Sequence, residues 1–248
     1  MKLKLLATIT LPLFFSPFSF SQNNVKDLLE KAHLARQEMG IETAIELYTK
    51  VIELDPTNID AYYYRADILA VFNATSSIED FLKVIELDSL HEEALHGAAY
   101  YYSFNGNHEK AVYYLEKALA VNPQSTNNLF LQVKREIRKE NYEKALMMCN
   151  QIISQQDESS IWPTLLERGR IYFFTGKNQE AISDFETCFK DDMYGKYCSQ
   201  DFEMCGDAYE KIGELEQACE KWDLAINHFD VDAPSETAIQ KVENKCKK

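Results

Sequence analysis

The chain repeats itself at an interval of 33 to 37 residues, and a period of that length restricts the fold to an array of one small supersecondary unit. Ala44, Ser77, Ala111, Ala145, Ala181 and Ala218 stand 33, 34, 34, 36 and 37 residues apart. Four residues after each comes a larger group: Tyr48, Phe81, Leu115, Cys149, Phe185 and Trp222. Three further on comes a smaller apolar one: Val51, Val84, Ala118, Ile152, Cys188 and Ala225. Offsets of four and seven place all three columns on one face of a helix. A second column of small residues, Ala32, Ala66, Ala99, Val133, Gly169 and Gly206, lies upstream on an earlier helix. Small residues on both helices permit close approach, and the larger column fills the space beside the contact. Only 8 Gly and 6 Pro occur in 248 residues, which favours helices over a turn-rich β fold.

Turn signals fall between these helices. Gly106-Asn107, Gly176-Lys177-Asn178 and Gly213-Glu214 separate the two helices of repeats three, five and six. Asp55-Pro56-Thr57-Asn58 and Asn122-Pro123-Gln124-Ser125 end the second helices of repeats one and three, where Pro cannot continue a helix. The segments Gly106-Asn107-His108-Glu109-Lys110-Ala111 and Ala118-Leu119-Ala120-Val121-Asn122-Pro123, with Leu95 and Tyr102 upstream, resemble the tetratricopeptide repeat. So do Gly206-Asp207-Ala208-Tyr209-Glu210-Lys211-Ile212-Gly213 and the stretch from Ala218 to Trp222. The resemblance covers about residues 25–232 and implies an all-α, right-handed superhelical solenoid. Its six helix-turn-helix units fall at about 25–58, 59–91, 92–125, 126–159, 162–195 and 199–232, an array over 22–232. Repeat four departs from the pattern, with Val133, Glu136 and Glu140 where the family prefers Gly or Ala, an aromatic, and Gly. Repeat two is one residue short and extra residues precede repeats five and six, so a superhelix of uneven pitch is expected, bent around repeat four or between five and six.

Residues 233–248 read as a capping helix, with Ser235 as N-cap and Glu236 in its first turn. Ala238, Ile239 and Val242 face one way and Gln240, Lys241, Glu243 and Lys245 are polar, which suits the open end of a stack.

Residues 1–21 read as a secretory leader. Met1-Lys2-Leu3-Lys4 is basic, Leu5 to Phe20 is apolar, and Ser19-Phe20-Ser21 places small residues before a cut ahead of Gln22. The run is shorter than the ~20 residues of a spanning helix, and Pro12 and Pro17 interrupt it. No Cys follows it, which argues against a lipoprotein anchor. The expected product is exported, periplasmic or secreted, with no stable membrane span. Losing Lys2 and Lys4 takes the net charge from −14 to −16. Such acidity argues against nucleic acid as a partner, since a phosphate backbone needs a basic face.

All six cysteines, Cys149, Cys188, Cys198, Cys205, Cys219 and Cys246, lie in the exported part, where disulfides persist. If the last repeat helix and the capping helix are antiparallel about residues 231–232, Cys219 faces the neighbourhood of residue 244 and Cys246 is within reach. That bridge closes a loop worth about 3.5 kcal/mol in the chain-entropy treatment. Cys188 pairs with Cys198 or Cys205 by the same logic. The alternative is that Cys149, Cys188 and Cys205 are small buried hydrophobes.

No catalytic or cofactor motif is found. His91 and His96 are five apart, about 140° around a helix, and do not align as zinc ligands. Asp230-Val231-Asp232 lacks the Gly and terminal Glu of a calcium loop. Asp191-Asp192 are ordinary solvated carboxylates, and Asn73-Ala74-Thr75 is a glycan acceptor only in a eukaryotic secretory pathway. The chain reads as a non-catalytic interaction or scaffold protein.

In the family, the first helix of each repeat lines the concave face and residues one turn apart on it contact ligands. The resemblance places His33 and Arg36; Tyr63 and Asp67; His96, Tyr100 and Phe104; Phe130, Lys134 and Arg138; Arg170, Phe173 and Phe174; and Glu203 and Asp207 at such positions. Aromatic rings give rigid contact area and Arg or Lys grips carboxylates. The band of Lys134, Arg138 and Arg170 among aromatics implies an acidic or C-terminal peptide segment as partner. Against this, the aromatics pack between first helices and the cations pair with local Glu. The family's two-carboxylate clamp is not matched, because Tyr63, Asp67 and His96 occupy its region. A structural subunit of an envelope assembly, using convex or end surfaces, is the second reading, and an enzyme with an unrecognised site the third. Intact-mass measurement of the protein recovered from its native host should give a chain beginning at Gln22; a chain retaining Met1 or Lys2 would refute the leader.

Overall fold

The computed structural model describes residues 17–72, 75–155, 161–190, 199–227 and 235–246, with side chains from residue 24 onward. Among them every regular element is a helix. They come in consecutive pairs: α1 (Pro17–Gln37) with α2 (Ile41–Leu54), α3 (Ile59–Val71) with α4 (Thr75–Leu87), and α5 (Glu92–Phe104) with α6 (His108–Val121). Then follow α7 (Thr126–Arg138) with α8 (Tyr142–Gln155), α9 (Trp162–Phe174) with α10 (Asn178–Phe189), and α11 (Ser199–Lys211) with α12 (Leu215–Asn227). A last helix, α13 (Glu236–Lys241), widens into a π-helical turn over Val242–Cys246. Most of the leader, Asn73-Ala74, Asp191-Asp192, Cys198 and Asp230-Val231-Asp232 lie outside the described residues, and the expected cut before Gln22 falls within α1.

Side-chain caps fix several helix starts. The carboxamide oxygen of Asn58 accepts from the Ala61 amide at 3.0 Å at the head of α3. His91 Nδ1 accepts from Ala94 at 3.3 Å for α5. Ser235 is the N-cap of α13, as its sequence position indicated, its hydroxyl accepting from Ala238 at 3.3 Å. Each satisfies an amide that the first turn leaves without a partner.

The chain divides into two compact units, Met1–Ala118 and Leu119–Lys248. In the first, Ala32, Ala44, Tyr48 and Val51 are buried between α1 and α2, and Ala66, Phe81 and Val84 between α3 and α4. In the second, Ala145, Cys149 and Ile152 form one layer, Ala181, Phe185 and Cys188 the next, and Ala218, Trp222 and Ala225 the last. Small against large is literal here. A Cβ on Gly206 would lie 2.5 Å from Trp222 Cδ1 and 3.0 Å from the Ala218 carbonyl oxygen. One on Gly97 would lie 2.5 Å from Phe81 Cζ, and one on Gly169 3.0 Å from Phe185 Cε1. Truncating a fully buried ring of this size costs about 3–5 kcal/mol.

Buried Cys149, Cys188 and Cys205 belong to these layers. The Cys188–Cys205 pairing expected as one option is not formed: Cys188 Sγ donates to the Trp162 carbonyl at 3.5 Å, and Cys205 packs in the apolar layer between α10 and α11. Burial pushes the thiols of Cys149 and Cys205 up to about 12, which keeps them protonated and inert.

Two repeats carry the same polar clamp. Arg65 on α3 donates through Nε and Nη2 to both oxygens of Asp80 on α4 at 2.7 and 2.8 Å, and through Nη1 to Thr49 on α2 at 2.9 Å. Arg168 on α9 repeats this with Asp184 on α10, both at 2.7 Å, and with Asn150 on α8 at 2.7 Å. Each forked guanidinium thus joins the two helices of its own repeat to the second helix of the repeat before.

The turns inside the repeats need a left-handed residue. Gly106, Gly176 and Gly213 take it with φ of 74°, 77° and 88°, but Met39 and Glu140 take it with a side chain, both at 59°. Repeat four compensates through Glu136. Its buried carboxylate accepts from Asn141 Nδ2 at 2.8 Å and Lys144 Nζ at 3.2 Å across the turn, and these contacts, Asn141 first, hold its pKa below the usual carboxylate range. The left-handed conformation costs a non-glycine residue about 1–2 kcal/mol, offset in part by the chain freedom glycine adds when unfolded. Glu140→Gly should therefore stabilise the protein by about 0.5–1 kcal/mol, read as a higher midpoint in urea; a lower midpoint would show that the Glu140 side chain holds the turn.

Candidate partner-binding site

In the first unit the first-helix face is made by α1, α3 and α5. His33 Nδ1 is 2.9 Å from the hydroxyl of buried Tyr48, which ties it to α2. Arg36 lies 4.6 Å above the Tyr64 ring and 3.7 Å from Asp67. Tyr63 is half-buried, its ring 5.0 Å from those of Tyr64 and His91 and 6.3 Å from that of Phe81. Burial, reinforced by the charges of Asp67 and Glu93, pushes its phenol up to about 12. Much of Tyr63 is thus packing between helices. Tyr100 and Phe104, one turn apart on α5, are more than half exposed.

In the second unit, α7 and α9 both carry rings, each set beside a cation. Lys134 Nζ stands 4.9 Å over the Phe130 ring, and Arg138 is exposed at the end of α7. Phe173 carries Lys211 Nζ at 4.0 Å over its ring. Phe174 is 52% exposed and stacks on Tyr142 with centroids 6.2 Å apart. Such a surface can hold a carboxylate on its cations while an apolar side chain lies on the rings.

Arg170, one turn before Phe173 and Phe174 on α9, is engaged within the protein. Its Nε and Nη2 donate to both oxygens of Asp201 at 2.6 and 2.8 Å, and its Nη1 to Glu167 at 3.1 Å. Asp201 is 1% exposed, so its charge is compensated from within the protein. The cation assigned to ligand contact from its register is a tie between α9 and α11. Glu203 and Asp207 are likewise occupied, because α13 lies against them. Lys241 Nζ reaches Glu203 at 2.8 Å and Asp207 at 2.6 Å, and the hydroxyls of Ser235 and Thr237 each donate to Glu203 at 2.5 Å. Burial raises the pKa of Glu203, but the bonds from Lys241, Ser235 and Thr237 outweigh it and leave the group below its ordinary value. Lys245 pairs with Glu210, and a Cys219–Cys246 disulfide, S–S 2.01 Å, fastens the end of the π-helical turn to α12.

Periodicity of apolar residues gave no sign of the Arg65 and Arg168 clamps. A signal was nonetheless present: in repeats two and five alone, Arg precedes the small column and Asp precedes the large one. Among the described residues no group of three His, Cys, Asp or Glu could hold a metal ion, and no helix is long and apolar enough to cross a membrane.

Tetratricopeptide-repeat family profiles match residues 47–75, 92–125 and 163–190. A search of curated proteins finds no match. Among solved structures, a tetratricopeptide repeat protein from Parabacteroides merdae ATCC 43184 aligns with TM-score 0.60 at 21% identity, covering 89% of this chain and 83% of that one. YrrB, a TPR protein with an unusual peptide-binding site, aligns with TM-score 0.59 at 22% identity over 81% of this chain and 99% of its own. PilW, a widely conserved type IV pilus biogenesis factor, aligns with TM-score 0.68 at 16% identity over 88% and 98%. At these identities the likeness concerns the fold. The matched segments are tetratricopeptide repeats, and the remaining helix pairs continue the same fold in phase with them. Such repeats are, as a class, modules for binding other proteins and are typically non-enzymatic.

Removing the Arg170 guanidinium leaves the buried Asp201 charge without its forked partner. Arg170→Met should cost about 3 kcal/mol, and adding Asp201→Asn should recover more than half of that. Urea denaturation of the wild type and the two variants checks it; a loss below about 1 kcal/mol in Arg170→Met would return Arg170 to the ligand face.

Proposed function

We propose that the chain is a non-catalytic binding or scaffold protein of the bacterial cell envelope, or a secreted one, that docks a polypeptide on the first-helix face of its repeats. The reading rests on the rings and cations carried by α7 and α9, Phe130, Lys134, Arg138, Phe173 and Phe174, in a chain of net charge −14. An acidic segment or a C-terminal carboxylate suits that surface. Export is supported by the basic and apolar leader and by the Cys219–Cys246 bond, which suits an oxidising compartment. The peptide-binding site named for YrrB and the pilus role named for PilW are of the same general kind.

Lys134 and Arg138 are the residues to test, because reversing Arg170 would also break its tie to Asp201. Lys134→Glu with Arg138→Glu should lower capture of the partner from an envelope extract of the native host about tenfold or more, with the melting temperature unchanged. Equal capture by wild type and variant would remove the α7–α9 face from the binding site and favour a structural subunit that uses its end surfaces.

A further inference from the structure

The first unit carries an apolar row on the edge where its first helices end. Met39, in the turn after α1, is 86% exposed; Val71 and Phe72, at the end of α3, are 81% and 62% exposed; Phe104, at the end of α5, is 65% exposed. One exposed apolar side chain needs no explanation. Four at three successive turns form a patch of the kind that marks an interface. Val71 and Phe104 hold the same register, each five residues beyond the small residue of its helix, Ala66 or Ala99. α3 and α5 lie against each other, and packed helices stand about 8–10 Å apart, so the row advances by about that distance from Val71 to Phe104.

The rim of the row is acidic. Glu38, Glu42, Glu79 and Glu109 are exposed on these helix ends and turns. The nearby cations are already engaged: Arg36 by Asp67 and the Tyr64 ring, Lys110 by the Tyr102 ring at 4.9 Å. Two copies of this edge would set carboxylates against carboxylates, and an anionic membrane would be repelled. A basic partner would be attracted. An α-helix brings residues seven apart to one face at intervals of about 10.5 Å, close to the spacing of the row.

We propose that this edge docks a basic amphipathic helix of another protein, lying across the three turns. Apolar residues at i, i+7 and i+14 would sit on Met39, on Val71 with Phe72, and on Phe104, and flanking Lys or Arg would face the acidic rim. The surface is separate from the α7–α9 face, which is matched to an acidic segment, so the two proposals stand or fall independently.

The probe is a fluorescein-labelled helical peptide of about 18 residues, with leucine at every seventh position and lysine or arginine beside it. An acidic twin carries glutamate in place of each cation. Anisotropy titrations against the full chain should show saturable binding of the basic peptide, weakened by salt, and at least tenfold weaker binding of its twin. V71S/F104S should weaken the basic peptide tenfold or more, and K134E/R138E should leave it unchanged. Both Val71 and Phe104 are exposed, so an unaltered melting curve will show that the variant is folded. Equal affinity of wild type and V71S/F104S, equal affinity of the two peptides, or no saturable binding would overturn the proposal. So would self-association of the wild type, or its co-sedimentation with anionic phospholipid vesicles, if V71S/F104S abolishes it.

Discussion

Two helices can approach until a ring on one meets the backbone of the other only where the second helix has no side chain in the way. That requirement is met by Gly206 beneath Trp222 and Gly169 beneath Phe185, and between repeats by Gly97 beside Phe81. The rings are buried because the notches exist, and close-packed interiors resist even a single added carbon. What happens at the surface follows from this spacing. It sets how far apart successive first helices stand within a unit, and hence the interval at which Lys134 and Phe174 can be offered to a partner.

Columns of apolar and small residues made the helix pairs legible, since a burial pattern is a property of one helix at a time. The pairing of Cys219 with Cys246 was legible for a related reason: two antiparallel helices joined by a short link bring known positions together. Polar pairing was less so. Arg170 has the register of a ligand contact, and nothing in that register shows that Asp201, on the next first helix, reaches back to it. Glu203 and Asp207 looked open because the seat of α13 depends on how the chain returns after α12. Such contacts run between repeats, and side-chain reach across a helix interface is not encoded in spacing.

The turn of repeat four shows a local rule broken and compensated. Glu140 stands where three other repeats have glycine, and Glu136 stands where Tyr102, Tyr172 and Tyr209 stand in repeats three, five and six. One position costs conformational energy, and the other replaces ring packing with charged hydrogen bonds to Asn141 and Lys144. The two departures fall on the same turn, which explains how a repeat with little family character keeps its helix pair. The Arg65 and Arg168 clamps act differently, adding polar ties to repeats whose apolar columns are already in order.

The disulfide gives the molecule a direction. In a stack whose members hold mainly their neighbours, order is lost from the ends inward. At one end α1 is kept in place by noncovalent contacts alone, among them those of His33 with Tyr48 and of Arg36 with Asp67. At the other, the link from Cys219 to Cys246 encloses most of α12 and all of α13 in a covalent ring. A translocating motor or processive protease that pulls from the N-terminus would peel helices away one pair at a time. One that begins at the C-terminus must draw a closed loop through its pore or first meet a reductant. The protein is therefore easier to dismantle from the end that leaves the ribosome first.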